Sequence, residues 1–110
     1  MIIVDRLLAE RAEQGRPVRV GMLGAGFMAK GIANQIVNST PGMELVAIAN
    51  RHPERAEAIY AEAGIEETAA VSSTAEADEA VGRGRFCVTD DPAALTRADS
   101  IDCLIEVTHK

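Results

Sequence analysis

One segment, from Val18 to Val37, constrains the fold more than any other part of the sequence. Val18–Leu23 is a β-branched apolar run that predicts a strand, and it leads directly into the pattern Gly24-x-Gly26-x-x-Ala29. Apolar residues then recur at helical spacing as far as Val37. A strand, a tight glycine turn and a helix in this order are typical of the first unit of a doubly wound α/β fold. The sequence therefore predicts a parallel sheet of the Rossmann type.

The rest of the chain alternates between strand and helix signals, which predicts helices on both faces of that sheet. In chain order we expect a leading helix over Arg6–Gln14, the strand and helix just described, a strand over Glu44–Ala49, a helix from Pro53 to Ala63, a short strand or loop within Ile65–Val71, a helix over Thr74–Val81, a strand over Phe86–Thr89, a brief helix from Asp91 to Ala98 and a strand over Ile101–Val107. Ser73 and Glu76 have the spacing of a capping box.

These elements divide the chain into a leading helix and linker, residues 1–17, and a Rossmann domain, residues 18–110. Ile101–Val107 has the pattern of a buried strand, and the sequence stops three residues later. We therefore expect an incomplete sheet that belongs to a longer enzyme. Because ligands of this fold class bind at the carboxyl ends of the strands, Thr108 is a candidate site residue. The catalytic residues are expected beyond Lys110 and are not assigned.

Composition and charge exclude several other functions. The 110 residues are 47% hydrophobic and 25% charged, as in soluble globular proteins. The net charge is −6, and acidic and basic residues are interspersed along the chain, so nucleic acid is not an expected partner. No apolar stretch is long enough to span a membrane, and no signal-peptide core is present, so we expect a cytoplasmic protein without a membrane partner. Cys87 and Cys103 lie in apolar strand patterns without metal-ligand spacing, which predicts two buried, reduced thiols and no metal site.

The glycine pattern has a specific chemistry. Gly24 permits the tight turn, the missing side chain at Gly26 lets a pyrophosphate approach the backbone, and Ala29 lets helix and strand pack closely. The backbone amides near Phe27 and Met28 then point at phosphate, with the positive end of the helix dipole behind them. We predict that these five residues bind the cofactor. The alternative is a turn that serves packing alone.

The end of the second strand predicts which dinucleotide binds. An acidic side chain there bonds the ribose 2′-hydroxyl of NAD, whereas an arginine accommodates the 2′-phosphate of NADP. Asn50, Arg51 and His52 offer no carboxylate. NADP is therefore the expected cofactor, with NAD possible, and Arg51 is the residue expected to pair with the phosphate. Asn50 either bonds the same phosphate or forms the turn before Pro53, and a solvated loop arginine is the alternative role for Arg51.

Three phrases, Arg19–Ala29, Ala49–Ala56 and Ile101–Thr108, together resemble the cofactor domain of homoserine dehydrogenase-like NAD(P)-dependent oxidoreductases. The likeness covers about residues 18–108. The leading helix, the long segment between Gly64 and Phe86 and the Glu-Val-Thr ending resemble the branch with a C-terminal SAF-type domain, which includes 1-deoxy-D-xylulose 5-phosphate reductoisomerase-like enzymes. The Asn-Arg-His-Pro-Glu-Arg phrase is equally similar to the glucose-fructose oxidoreductase family.

The resemblance implies an NADPH-linked reaction at a carbonyl or secondary alcohol of a small polar metabolite, by a multidomain enzyme that forms homo-oligomers. It implies that Gly24, Gly26 and Ala29 contact the pyrophosphate, Arg51 the adenosine phosphate and Thr108 the nicotinamide ribose. Two other functions are open from the sequence: a glucose-fructose oxidoreductase-like dehydrogenase, and a non-catalytic module that senses NADP(H). A methyltransferase is disfavoured, because the second strand does not end in the acidic residue that would bind ribose hydroxyls.

Overall fold

The computed structural model describes Gly15 and residues 17–107. In chain order these residues form β1 (Val18–Leu23), α1 (Phe27–Ser39), β2 (Met43–Ala49), α2 (Pro53–Glu62), β3 (Thr68–Ala70), α3 (Thr74–Gly82), β4 (Phe86–Thr89), α4 (Ala93–Thr96) and β5 (Cys103–Glu106). The leading helix expected over Arg6–Gln14 lies outside the described residues.

Within the described part of the chain, the strands form one five-stranded sheet in the order β3-β4-β2-β1-β5, and every strand pairing is parallel. The chain leaves β1 toward β2 on one side, and β5 lies on the other side of β1. In doubly wound folds the ligand site lies outside the carboxyl ends of the strands where the connections diverge in this way. The sheet order therefore places the candidate site above the ends of β1, β2 and β5.

Two apolar clusters cover the two faces of the sheet. One contains residues of α1 and α2 packed on β1 and β2, including the fully buried Ala29, Ala33 and Tyr60. The other contains residues of α3 and α4 packed on β2, β3 and β4. Helices on both faces explain why β2 is an almost continuous apolar run, since both of its faces are buried. At Val46 the strand carries one extra residue relative to β1, which shifts the register between the two strands.

The strand, helix and capping signals predicted most of this architecture. Strands β1 and β4 have the predicted bounds, and the α/β class with a parallel sheet is confirmed. The ambiguous segment Ile65–Val71 contains the short strand β3, which is the outermost strand on its side. At the capping box the Ser73 hydroxyl accepts the Glu76 amide, whereas the Glu76 carboxylate accepts from the amide and hydroxyl of Ser72.

The last strand differs from its predicted form. Strand β5 is shorter than expected, and Cys103, Leu104 and Glu106 are exposed, so the prediction of a buried Cys103 thiol is wrong. The physical reason is its position, because β5 pairs with β1 on one side and with no described strand on the other. Cys87 is buried as predicted. The brief helix also proves shorter, since α4 spans only Ala93–Thr96.

Candidate nucleotide-binding site

The turn between β1 and α1 has the backbone shape that the glycine pattern predicted. Gly24 has a φ of +114°, which glycine adopts without strain, and its amide donates to the Ala49 carbonyl at 2.7 Å. Gly26 precedes α1, no side chain caps this helix, and its first turn contains no acidic residue. A Cβ placed on Gly26 meets no atom within 4 Å. The residues present thus fit a bound pyrophosphate, which would find open space and uncapped helix amides here.

A cavity of about 650 Å³ extends along the carboxyl edge of the sheet from this turn. Its lining is contributed by the ends of β1, β2 and β5, by the start of α2 and by the loop after β4, and consists of Leu23, Gly24, Ala25, Gly26, Ala49, Asn50, Arg51, Arg55, Asp90, Pro92 and Val107. Backbone bonds hold these strand ends together, since the Asn50 amide donates to the Thr89 carbonyl at 2.9 Å and the Val107 amide to the Leu23 carbonyl at 2.9 Å.

The residues that follow β2 combine a structured turn with free positive charge. The Asn50 side-chain amide donates to the His52 carbonyl at 3.0 Å. Of the two roles predicted for Asn50, this bond matches the one in the turn before Pro53, and Asn50 also lines the cavity. Arg51 is exposed and lines the cavity, and its pairing with a 2′-phosphate stays a prediction. His52 precedes α2 and lies 3.7 Å from the Glu54 carboxylate, away from the lining.

Met28 and Ala29 of the predicted site are not in the lining of the cavity. Ala29 is fully buried beneath the turn, in keeping with its predicted packing role. Met28 is 71% exposed on the first turn of α1, where Phe27 begins the helix. Lys30 forms an ion pair with Glu62 of α2 at 3.5 Å. Thr108 lies outside the described residues.

Of the charged residues in the lining, sequence reasoning assigned no site role to Arg55 and Asp90. Arg55 lies in the first turn of α2, four residues after Arg51, which precedes the helix. Asp90 follows β4, and its presence in the cavity depends on β4 being the neighbour of β2. No local pattern in the sequence gives that neighbour relation.

The ionisable groups with shifted pKa values lie elsewhere in the molecule. Burial raises the pKa of Cys87 to about 11 and raises that of Tyr60 well above its usual value. Hydrogen bonds from Ser100 lower the pKa of Asp78, and hydrogen bonds from Ser72 lower the pKa of Glu76. None of these four groups lines the cavity, whose charged lining residues are Arg51, Arg55 and Asp90.

The described residues also form a cavity away from the glycine turn. A cavity of about 370 Å³ at the opposite end of the sheet is lined by Gly64–Glu67 and Gly84–Phe86, far from the glycine turn. The described ranges contain no cluster of three or more histidine, cysteine or acidic residues that could hold a metal. Nor do they contain a helix long and apolar enough to cross a membrane.

A parallel sheet, a glycine turn after β1 and a cavity along the carboxyl edge of the sheet define a dinucleotide-binding domain of the Rossmann class. The chain belongs to the GFO/IDH/MocA family, described as an oxidoreductase family with an NAD-binding Rossmann fold, whose pattern matches residues 18–109. This agrees with the glucose-fructose oxidoreductase alternative drawn from the sequence. The match does not show the homoserine dehydrogenase-like branch.

A solved structure shares the fold. The crystal structure of scyllo-inositol dehydrogenase from Lactobacillus casei, with bound NAD(H) and scyllo-inositol, superposes with a TM-score of 0.59 at 18% sequence identity. The alignment covers 86% of this chain and 22% of that protein, so this chain corresponds to less than a quarter of the relative's length. No curated protein matches the sequence.

Proposed function

We propose that this domain binds NADP(H) along the carboxyl edge of its sheet and binds NAD(H) more weakly. The observation that carries the proposal is that Arg51 and Arg55 line the same cavity as the glycine turn. In this fold class the end of the second strand meets the adenosine ribose, where an arginine accommodates a 2′-phosphate. Residues 50–52 offer an amide, a guanidinium and an imidazole, and no carboxylate that would select the 2′-hydroxyl of NAD.

The proposal gives each site residue a role. Gly24 and Gly26 admit the pyrophosphate, the amides of Phe27 and Met28 donate to it, and Ala29 holds the helix against the strand. Arg51 and Arg55 bind the 2′-phosphate from two sides, and Asn50 fixes the loop that carries Arg51. Thr108 is proposed for the nicotinamide ribose. The family description and the solved relative both name NAD, so a preference for NADP would arise from the β2 end of this chain.

The longer protein is proposed to transfer hydride between NADP(H) and a carbonyl or secondary alcohol of a small polar metabolite. The cofactor supplies the hydride when bound, and the residues of this domain bind and orient it. The secondary-alcohol class is supported by the solved relative, whose name is that of an inositol dehydrogenase. Residues beyond Lys110 are proposed to supply the acid and base groups. A homoserine dehydrogenase-like reaction has only the sequence resemblance to support it.

The two arginines provide the test. Arg51→Asp places a carboxylate against the 2′-phosphate, and Arg55→Ala removes one charge-assisted hydrogen bond, which together define the phosphate site. We expect each variant to lose about tenfold or more in NADPH affinity and to change NADH affinity little. Calorimetric titration of both cofactors at one salt concentration measures this.

Arg85→Ala is the matched control, since Arg85 is an exposed arginine at the other end of the sheet. It should bind both cofactors as the wild type does. Equal losses for NADPH and NADH in the Arg51 and Arg55 variants would show that these residues do not read the phosphate, and the proposal would fail.

A further inference from the structure

The carboxylate of Asp90 is the one acidic group in the lining of the proposed cofactor cavity. Its neighbour Asp91 has a structural role, because the Asp91 carboxylate accepts the Ala93 amide at 3.0 Å and the Asp91 amide donates to the Thr89 hydroxyl at 3.1 Å. Among the described residues no hydrogen bond or ion pair engages the Asp90 carboxylate. The turn after β4 is thus formed by Asp91 and Thr89, and Asp90 is available to a ligand.

The order of the strands gives the position of Asp90 relative to a bound dinucleotide. Along the carboxyl edge, the glycine turn follows β1, the two arginines follow β2, and Asp90 follows β4 on the far side of β2. The pairing of Ala49 with Thr89 brings the ends of β2 and β4 side by side. We take a dinucleotide whose pyrophosphate lies at the glycine turn and whose phosphorylated ribose lies at the two arginines. Its adenine base is then the next group along the carboxyl edge of the sheet. The base therefore falls at the end of β4.

The chemistry of the base matches an isolated acceptor. Adenine presents an exocyclic amine that donates hydrogen bonds, and an ionised carboxylate only accepts them. Hypoxanthine presents a carbonyl oxygen at the same position, which a carboxylate repels. A carboxylate beside the 2′-phosphate would weaken dinucleotide binding, because the two groups repel each other. A carboxylate beside the adenine amine strengthens binding, because it accepts a charge-assisted hydrogen bond.

We infer that Asp90 accepts a hydrogen bond from the exocyclic amine of adenine and so selects adenine dinucleotides over hypoxanthine dinucleotides. The inference rests on the proposed function, because it takes the base to be part of a dinucleotide bound at the glycine turn. It adds a third point of recognition, after the pyrophosphate and the 2′-phosphate, on a strand that the glycine pattern does not include.

Titration of the chain with NADP and with nicotinamide hypoxanthine dinucleotide phosphate tests the inference directly. The two ligands share every group except the one that Asp90 is proposed to read. We expect the wild type to bind the adenine form about tenfold more tightly, because the hypoxanthine form replaces a charge-assisted hydrogen bond with repulsion. Asp90→Asn, whose amide can accept from the amine or donate to the carbonyl, should bring the two affinities within about threefold.

Asp91→Asn is the matched control, since the asparagine side-chain oxygen can still accept the hydrogen bond from the Ala93 amide and Asp91 does not line the cavity. It should keep the wild-type ratio of affinities. Equal binding of both ligands by the wild type, or an unchanged ratio in Asp90→Asn, would overturn the inference and leave the proposed function standing. Binding of neither ligand by the folded chain would overturn both.

Discussion

Gly26 has an ordinary backbone conformation and open space at its Cβ position. A substitution at Gly26 can therefore test cofactor binding without disturbing the fold. Its φ of −84° and ψ of −169° are accessible to alanine, and an added Cβ meets no atom within 4 Å. Gly26→Ala should therefore fold with an unchanged melting temperature. The Cβ would occupy the space that a pyrophosphate needs, so NADPH affinity should fall tenfold or more. Thermal unfolding followed by circular dichroism and a cofactor titration measure the two effects.

A second glycine provides the control for this prediction. Gly31 lies within α1 with open space around its Cβ position. Gly31→Ala should raise the free energy of unfolding by about 0.5–1 kcal/mol, because alanine loses less backbone entropy in a helix, and should leave cofactor affinity unchanged. Normal cofactor binding by Gly26→Ala would mean that the turn does not hold phosphate.

The two cysteines differ in reactivity because one lies in the core and one on an edge strand. Cys87 is fully buried, and burial raises its pKa to about 11, whereas Cys103 is exposed. Since the thiolate is the reactive form, an alkylating reagent at pH 8 should modify Cys103 within minutes and Cys87 only after unfolding. Mass spectrometry of the native and denatured protein counts the modified thiols. Rapid modification of both thiols in the native chain would contradict the burial of Cys87.

At the scale of the elements, a single carboxylate ties α3 to the loop before β5. The Asp78 carboxylate accepts from the Ser100 hydroxyl at 2.6 Å and from the Ser100 amide at 3.0 Å. These bonds, the hydroxyl first, lower the pKa of Asp78 in the folded state. A lowered folded-state pKa adds stability that is fully present above the unfolded-state pKa and is lost as the pH falls through the folded-state value.

Asp78→Asn should therefore lower the free energy of unfolding at pH 7 by about 1 kcal/mol and weaken the loss of stability in acid. Urea unfolding at pH 7 and at pH 3 gives both quantities. Asp99→Asn is the control, since it removes the same charge from an exposed side chain and leaves in place the Asp99 backbone amide that also bonds to Asp78. An equal effect of the two substitutions would show that the bonds of Asp78 to Ser100 do not stabilise the fold.

The elements also show how much the sequence could predict. Local signals located β1, α1 and α3, because an apolar run, a glycine turn and a capping box act within a few positions. The exposure of β5 and the placement of Asp90 beside the arginines follow from the strand order β3-β4-β2-β1-β5. That order depends on packing between distant segments, which periodicity does not report. The predicted boundary at residue 17 and the role of Thr108 stay predictions.

At the scale of the whole molecule, β5 is an edge strand within the described chain, and Leu104 on it is 37% exposed. An edge strand with apolar side chains offers unpaired backbone groups to another chain. We therefore predict that the 110-residue chain self-associates at micromolar concentration in sedimentation velocity. Glu106 on the same strand is charged, so Leu104→Lys, which adds a second charge to the edge, should shift the distribution toward monomer. A wild-type chain that is monomeric at all concentrations would contradict the prediction.

The central claim is that the ends of β1 and β2 form one site for a phosphorylated dinucleotide. The most direct test is titration of the purified chain with NADPH and with NADH at one salt concentration, with its fold verified by circular dichroism. We predict that both bind and that NADPH binds at least about tenfold more tightly, because Arg51 and Arg55 line the cavity where we propose that the 2′-phosphate binds. Equal or tighter binding of NADH, or no binding of either by the folded chain, would contradict it.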